Sequence, residues 1–191
     1  MIDETALALL RAAQVDPSDH FAALQCYLEA DIHRFVRRLI GSNDADDIVQ
    51  DTFIALYSNL ERIDPPEKLL PFIYRVARNR CYDALRKGRR HQIMSLDAIA
   101  EPRSMSAFSY PEDQTHWRMM MEQVLLAVEL LTEPQRQTLI LYCEEAFSIQ
   151  EVAEIMNTSP GTVKSRLYYA RQTLRRILSA DDFDFDWLEQ M

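Results

Sequence analysis

Between Ser148 and Leu178 the chain spells out two helices and the sharp corner that joins them. Val152, Ala153 and Met156 give a short helix one apolar face, and the small Ala153 lets a second helix come close. The chain must turn at Asn157, a residue type that tolerates left-handed backbone better than most. Ser159 then suits an N-cap and Pro160 the first helical position. The helix they open carries its core stripe at Val163, Leu167, Ala170, Leu174 and Ile177, spaced for one helical face. Near its start the opposite face offers Gly161, Thr162, Lys164, Ser165, Tyr168 and Tyr169, where a recognition helix places the residues that touch base edges in the major groove. Lysine can donate to guanine, and serine can serve as donor or acceptor. The plainer alternative is a helical hairpin with a solvated basic face.

The same periodicity organises the rest of the chain. Phe21, Leu24, Leu28, Ile32, Phe35 and Leu39 mark an amphipathic helix, with Ser18 or Asp19 after Pro17 as its expected cap and Gly41 as its expected end. A second helix is expected from Asp44 as N-cap, with Asp47 in capping-box position. It buries Ile48, Val49, Thr52, Phe53, Leu56 and Leu60. The segment Glu61–Lys68, with Pro65 and Pro66, cannot continue it, because proline lacks the amide donor. A third helix runs from about Leu69 to Arg89, with Pro71 tolerated in its first turn. Residues 91–118 lose the pattern and collect Ser, Pro, Asp and Glu, which reads as a flexible linker. Helical pattern resumes at Val124, Leu125, Val128 and Leu131, breaks at Thr132, Glu133 and Pro134, and continues over 135–143. The predicted fold is all-α, two small helical bundles over 1–90 and 119–179, the second containing the helix-turn-helix. An acidic, aromatic tail follows over 180–191. Only 3 Gly and 8 Pro among 191 residues suit compact helices better than strands.

A net charge of −9 argues against nucleic acid until its distribution is read. Arg75, Arg78, Arg80, Arg86, Lys87, Arg89 and Arg90 face only Asp83 in their stretch, and Lys164, Arg166, Arg171, Arg175 and Arg176 form a second block with no acid inside it. The acids gather in 42–51, 61–67 and 181–189. Two basic islands in an acidic body fit local phosphate contacts, while overall repulsion weakens non-specific DNA binding, so a partner is needed to hold the chain on DNA. Arg75, Arg78, Tyr82, Arg86 and Arg89 share one stripe of a helical wheel, and guanidinium groups interleaved with an aromatic suit backbone contact plus stacking on unpaired bases. Asn79 and Asp83 flank that stripe. For a lone helix a solvated arginine face is the simpler reading; a second basic helix shaped like a DNA reader weighs against it.

Cys26, Cys81 and Cys143 form no CxxC pair, so free buried thiols are expected, with no metal site and no cofactor. No apolar run approaches the roughly 18 residues of a membrane span. The start, Met-Ile-Asp-Glu, lacks a secretion signal. The chain is expected in the cytoplasm, without membrane insertion.

The run SIQEVAEIMNTSPGTVKSRLYYARQTLRRIL resembles the promoter-reading C-terminal domain of extracytoplasmic-function sigma factors, the small alternative class of the sigma-70 family. LTEPQRQTLIL is similar to the proline-plus-arginine helix that leads into that motif. In the other half, DADDIVQDTFIALY is similar to the helix that docks on the clamp of the polymerase largest subunit. LLPFIYRVARNRCYDALRKGRR is similar to the helix that captures and opens the minus-ten element.

The resemblance implies a promoter-directing subunit of RNA polymerase and no enzyme. Its partners would be core polymerase, through clamp and flap, and promoter DNA, with an anti-sigma protein left open. It puts Thr162, Lys164, Ser165, Arg166, Tyr168, Tyr169 and Arg171 at the minus-thirty-five element. Arg75, Arg78, Asn79, Tyr82, Asp83 and Arg86 fall at the minus-ten element, and Asp47, Gln50 and Asp51 at the polymerase. The loop Glu61–Lys68 matches the segment that holds a flipped-out base. This chain departs from the family at Asn157, where glycine is usual, at Tyr169, where arginine is common, and at Phe72, where tryptophan is typical. The loop lacks the usual glycine and aromatic.

Two rival readings remain. Asp46, Asp47 and Asp51 would be metal ligands if DDIVQD were the aspartate-rich motif of helical isoprenoid synthases, but the spacing is one residue off and no second acidic motif follows. A conventional transcription regulator would share the C-terminal reader but carry a sensor or receiver domain, whose alternating strands and helices are missing.

Overall fold

A computed structural model describes residues 4–41, 44–94 and 123–178, with backbone only for 88–94. The described residues are helical, with no strand among them. The chain divides into two compact units, 1–106 and 107–191, each with its own core.

The first unit is built on α2 (Pro17–Ile40), α3 (Ala45–Tyr57) and α4 (Leu69–Met94), each packed against the other two. Leu24, Leu28, Ile32, Phe35 and Leu39 of α2 are buried as their spacing predicts, against Phe53 and Leu56 of α3 and Ile73, Ala77 and Cys81 of α4. Burying each such large side chain contributes about 1.5–3 kcal/mol. Phe35 and Tyr74 meet at 4.9 Å between ring centres, fixing α2 against α4. α2 starts earlier than the apolar pattern indicates: its cap is Asp16, whose Oδ1 accepts from the backbone N–H of Ser18 at 3.1 Å and Asp19 at 3.3 Å. Pro17 takes the first helical position, so Ser18 and Asp19 lie inside the helix. Gly41, at φ 83°, ends it as expected.

Asp44 stands at the N-cap of α3, yet its side chain makes no capping bond there. Ile48, Val49, Thr52, Phe53 and Leu56 are buried by α3 as predicted, while Leu60 is buried from a separate 3-10 turn, Leu60–Arg62. A second such turn, Pro66–Lys68, leads into α4, which runs past the predicted Arg89 to Met94 and so takes in 91–94 from the expected linker. The remainder of that linker, and the tail over 180–191, lie outside the described residues.

An additional helix, α1 (Glu4–Val15), precedes the predicted set. It buries Ala6, Leu10 and Ala13 and packs on α2 and on both 3-10 turns.

The second unit holds α5 (123–129), α6 (Glu133–Leu139), α7 (Ile149–Met156) and α8 (Pro160–Leu178). α6 and α7 both pack on α8. The predicted helix over 135–143 changes character midway: after Leu139 one turn of π-helix, Ile140–Glu144, carries the chain on, and Ala146 then takes a left-handed φ of 53°. Arg136 is buried, its guanidinium paired with Glu133 one turn earlier and with Glu129 of α5 at 3.5 Å. Two acids offset the charge of one buried cation that would otherwise be costly to desolvate, although Arg136 Nε has no hydrogen-bond partner among the described residues.

Of the three cysteines only Cys81 is buried; Cys26 and Cys143 are exposed, because both fall on the outer side of their helical turns. Local desolvation still pushes the Cys143 thiol up to about 11, helped by the charge of Glu144 and opposed by Arg171.

Candidate nucleic-acid interface

The corner read from the sequence is present in the second unit. Ser148 and Glu151 form a capping box: Glu151 Oε2 accepts from Ser148 N–H at 2.8 Å, and Ser148 Oγ accepts from Glu151 N–H at 3.3 Å. At the other end of α7, Asn157 adopts φ 49° and ψ 55°. Thr158 N–H donates to Ala153 O at 2.9 Å and Asn157 N–H to Glu154 O at 3.2 Å. That pair of bonds is the Schellman closure, which satisfies carbonyls left over at a helix end. Ser159 Oγ then accepts from Thr162 N–H at 3.1 Å, and Pro160 opens α8.

The inner stripe of α8 is Val163, Leu167, Ala170, Leu174 and Leu178. Leu178 replaces the expected Ile177, which is only half-buried: four residues on from Leu174 fits the helical repeat better than three. On the outer face Lys164, Ser165, Tyr168 and Tyr169 are exposed together. The two tyrosine rings meet edge to face at 5.4 Å, and Gln172 Nε2 donates to Tyr168 Oη at 2.8 Å. Ser165 Oγ donates to Gly161 O at 3.0 Å, which leaves its lone pairs to accept. Thr162, Arg166 and Arg171 are half-buried instead. The Thr162 hydroxyl is tied to Ser159 Oγ at 2.9 Å. Arg166 Nη1 and Arg171 Nε are buried with no hydrogen-bond partner among the described residues.

In the first unit α4 turns Ile73, Ala77 and Cys81 inward and leaves Arg75, Asn79, Tyr82, Asp83 and Arg86 exposed, with Arg78 half-buried beside them. The side chain of Arg89 lies outside the described residues. Arg75 stands 5.7 Å above the ring of Phe72, a cation–π distance, and Arg78 Nη1 donates to Asn79 Oδ1 at 3.1 Å.

Asp47, Gln50 and Asp51 share the exposed face of α3 with Ile54 and Tyr57. Arg80, counted in the basic island but off its stripe, reaches back across the bundle to Asp51, 2.8 Å away. Asp46 pairs with His33 of α2 at 2.7 Å. Asp46 and Asp51 therefore each face a cationic or imidazole group, not each other. Among the described residues no group of three His, Cys, Asp or Glu is placed to hold a metal ion, and no helix is long and apolar enough to cross a membrane.

The loop between α3 and α4 is pinned from inside by buried Leu60, Ile63 and Leu69 and shows Glu61, Arg62, Asp64, Pro65, Glu67 and Lys68 outward. Lys68 Nζ donates to Asp64 O at 2.9 Å. From α1, Gln14 Nε2 donates to Leu60 O at 2.8 Å and to Ile63 O at 3.0 Å. Neither the Arg80 contact nor the Gln14 contact has a signal in the sequence, since both join residues far apart in the chain.

The family model described as Sigma-70 region 2 matches residues 27–91, and that described as Sigma-70, region 4 matches residues 121–174. The ECF RNA polymerase sigma factor EcfG of Rhodopseudomonas palustris is 30% identical over 159 residues, 81% of this chain and 84% of that protein. The ECF RNA polymerase sigma factor SigW of Bacillus subtilis is 27% identical over 168 residues, 84% of this chain and 89% of its own length. Among solved structures, the sigma factor RpoE in complex with the anti-sigma factor NepR from Bartonella quintana has a TM-score of 0.69 at 24% identity, covering 84% of this chain and 98% of that one. CnrH in complex with the cytosolic domain of CnrY has a TM-score of 0.67 at 22% identity, covering 94% and 100% respectively.

Proposed function

Because this chain belongs to the extracytoplasmic-function sigma factors of the sigma-70 family, we propose that its two basic helices divide promoter recognition between them. The protein is an alternative sigma factor, a transcription initiation factor and not an enzyme, whose partners are core RNA polymerase and promoter DNA.

In this reading α8 enters the major groove at the minus-thirty-five element. Lys164, Ser165, Tyr168 and Tyr169 reach base edges, because they alone of the assigned residues are exposed together near the helix start. Thr162, Arg166 and Arg171, half-buried at the margin, serve the backbone. α4 lies along the minus-ten element. Arg75, Arg78 and Arg86 hold phosphates, Tyr82 stacks on an unpaired base, and Asn79 and Asp83 add polar contacts. The loop at 61–68 holds a flipped-out base. Asp47, Gln50 and Asp51 dock on the polymerase clamp, with exposed Ile54 supplying apolar contact beside them. The protein works in the cytoplasm, where its polymerase is. The family resemblance also extends to control by an anti-sigma protein, the kind of partner with which the RpoE of Bartonella quintana was solved.

The observation that carries this reading is the exposed cluster on α8 set behind a closed helix-turn-helix corner, in a chain whose net charge is −9. An acidic chain repels DNA beyond its basic patches, so promoter affinity depends on the polymerase. Gel shifts with and without core polymerase test this. Weak, salt-sensitive binding by the free chain and tight promoter-specific binding by the holoenzyme are expected. Tight, sequence-specific binding by the free chain would mark a conventional regulator instead.

A further inference from the structure

We propose that Gln14 is a positioning residue: it sets the shape of the loop at 60–68 and, through it, which base that loop accepts. The inference rests on the reading of this loop as the holder of a flipped-out base. α1 lies outside both segments matched by the family models, 27–91 and 121–174, yet it packs against both 3-10 turns of the loop. Gln14, near its C-terminal end, makes polar contact with the first of them. Both of its amide hydrogens are used, one on Leu60 O at 2.8 Å and one on Ile63 O at 3.0 Å.

Those carbonyls bracket the first turn. Leu60 O already accepts from Ile63 N–H at 3.2 Å, so the turn closes on one carbonyl and leaves by the other. Ile63 is anchored by its side chain, 3% exposed, and by the Gln14 bond to its carbonyl. Beyond it come Asp64, Pro65 and Pro66. Proline fixes its own φ and restricts the residue before it, so few soft torsions remain downstream. The direction in which the Ile63 peptide points therefore decides where Asp64, Pro65, Pro66 and Glu67 stand. Gln14 holds that peptide. A glutamine with only a local stabilising role would change the amount of folded protein and leave the preference among bases alone.

The test is in vitro transcription by reconstituted holoenzyme from promoters randomised over the minus-ten and minus-thirty-five elements. Gln14→Met keeps the length of the side chain and removes both donors. It is expected to shift the preference at one minus-ten position about fivefold, the weight of one neutral hydrogen bond, with minus-thirty-five preference unchanged. Gln14→Lys, which donates from a similar reach, is expected to retain the wild-type profile. If Gln14→Met melts below the assay temperature, Gln14→Ala, an excellent helix former, carries the same expectation. An equal loss on all promoters, or an unchanged profile, overturns the role of Gln14. An Arg62→Ala, Glu67→Ala double variant separates the two levels: if it leaves minus-ten preference unaltered at every position, the base-holding reading of the loop falls as well.

Discussion

Arg80 Nη1 donates to Asp51 Oδ2 at 2.8 Å, joining the helix assigned to the polymerase to the helix assigned to the melted strand. In the proposed reading Asp51 has two claims on one carboxylate, Arg80 and the polymerase. Arg80 Nε is buried with no hydrogen-bond partner among the described residues. Asp47, one turn earlier on α3, is exposed.

Asp47→Arg should abolish co-purification with core polymerase and leave the protein folded, because it sets like charge against a basic clamp; a cation in the first turn of α3 costs only about 0.3–1 kcal/mol. Asp51→Arg should lose polymerase too, but with a lower melting temperature. The ion pair, 39% and 56% exposed on its two sides, is worth only about 0.2–1 kcal/mol, to which guanidinium repulsion adds. The exchange Asp51→Arg with Arg80→Asp should restore thermal stability and not polymerase binding. If it restores both, Asp51 acts only as a strut.

Lys164→Ala should change which minus-thirty-five sequences are transcribed, by about 1–3 kcal/mol at one base pair. Arg176→Ala, three turns further along α8, should weaken all sequences alike. A promoter library scored with both variants separates them, and a common shift in preference would remove Lys164 from the reading face.

Arg136→Met should destabilise the second unit by about 3 kcal/mol, measured by denaturant melts. Its removal leaves Glu133, whose side chain is 19% exposed, without a cation. A loss within experimental error would mean that Glu133 is relieved by water or by protonation.

Short-range chemistry was the legible part of this molecule. Ser148, Asn157, and Ser159 with Pro160 each state their role within a few residues, and all four stand where the pattern puts them. The start of α2 was legible in principle: Pro17 belongs at a first helical position, which makes Asp16 the cap. α1 hid because two of its three buried residues, Ala6 and Ala13, are alanines and give little hydrophobic contrast. The π turn at Ile140–Glu144 left no mark, since one inserted residue barely disturbs an apolar pattern already continuous through Leu139, Ile140 and Leu141. Burial of Arg166 and Arg171 depends on packing of α6 and α7 against α8, which composition does not carry.

Asn157→Gly should leave the stability of the second unit unchanged or slightly raised, since glycine reaches a φ of 49° without strain. Asn157→Val should cost about 1–2 kcal/mol, the penalty of a left-handed residue. Thermal melts of both variants decide it, and equal melting temperatures would mean that the corner relaxes out of that conformation.

The bonds that close the corner of α7 and α8 run among Ser148, Glu151, Ala153, Glu154, Asn157, Thr158, Ser159 and Thr162, whereas the exposed cluster is Lys164, Ser165, Tyr168 and Tyr169. The two sets share no member. Selection for a foldable corner and selection for a particular promoter therefore act on different codons. A lineage can exchange residues on the outer face one at a time, passing through intermediates that all fold, and so acquire new target genes without first losing a working protein.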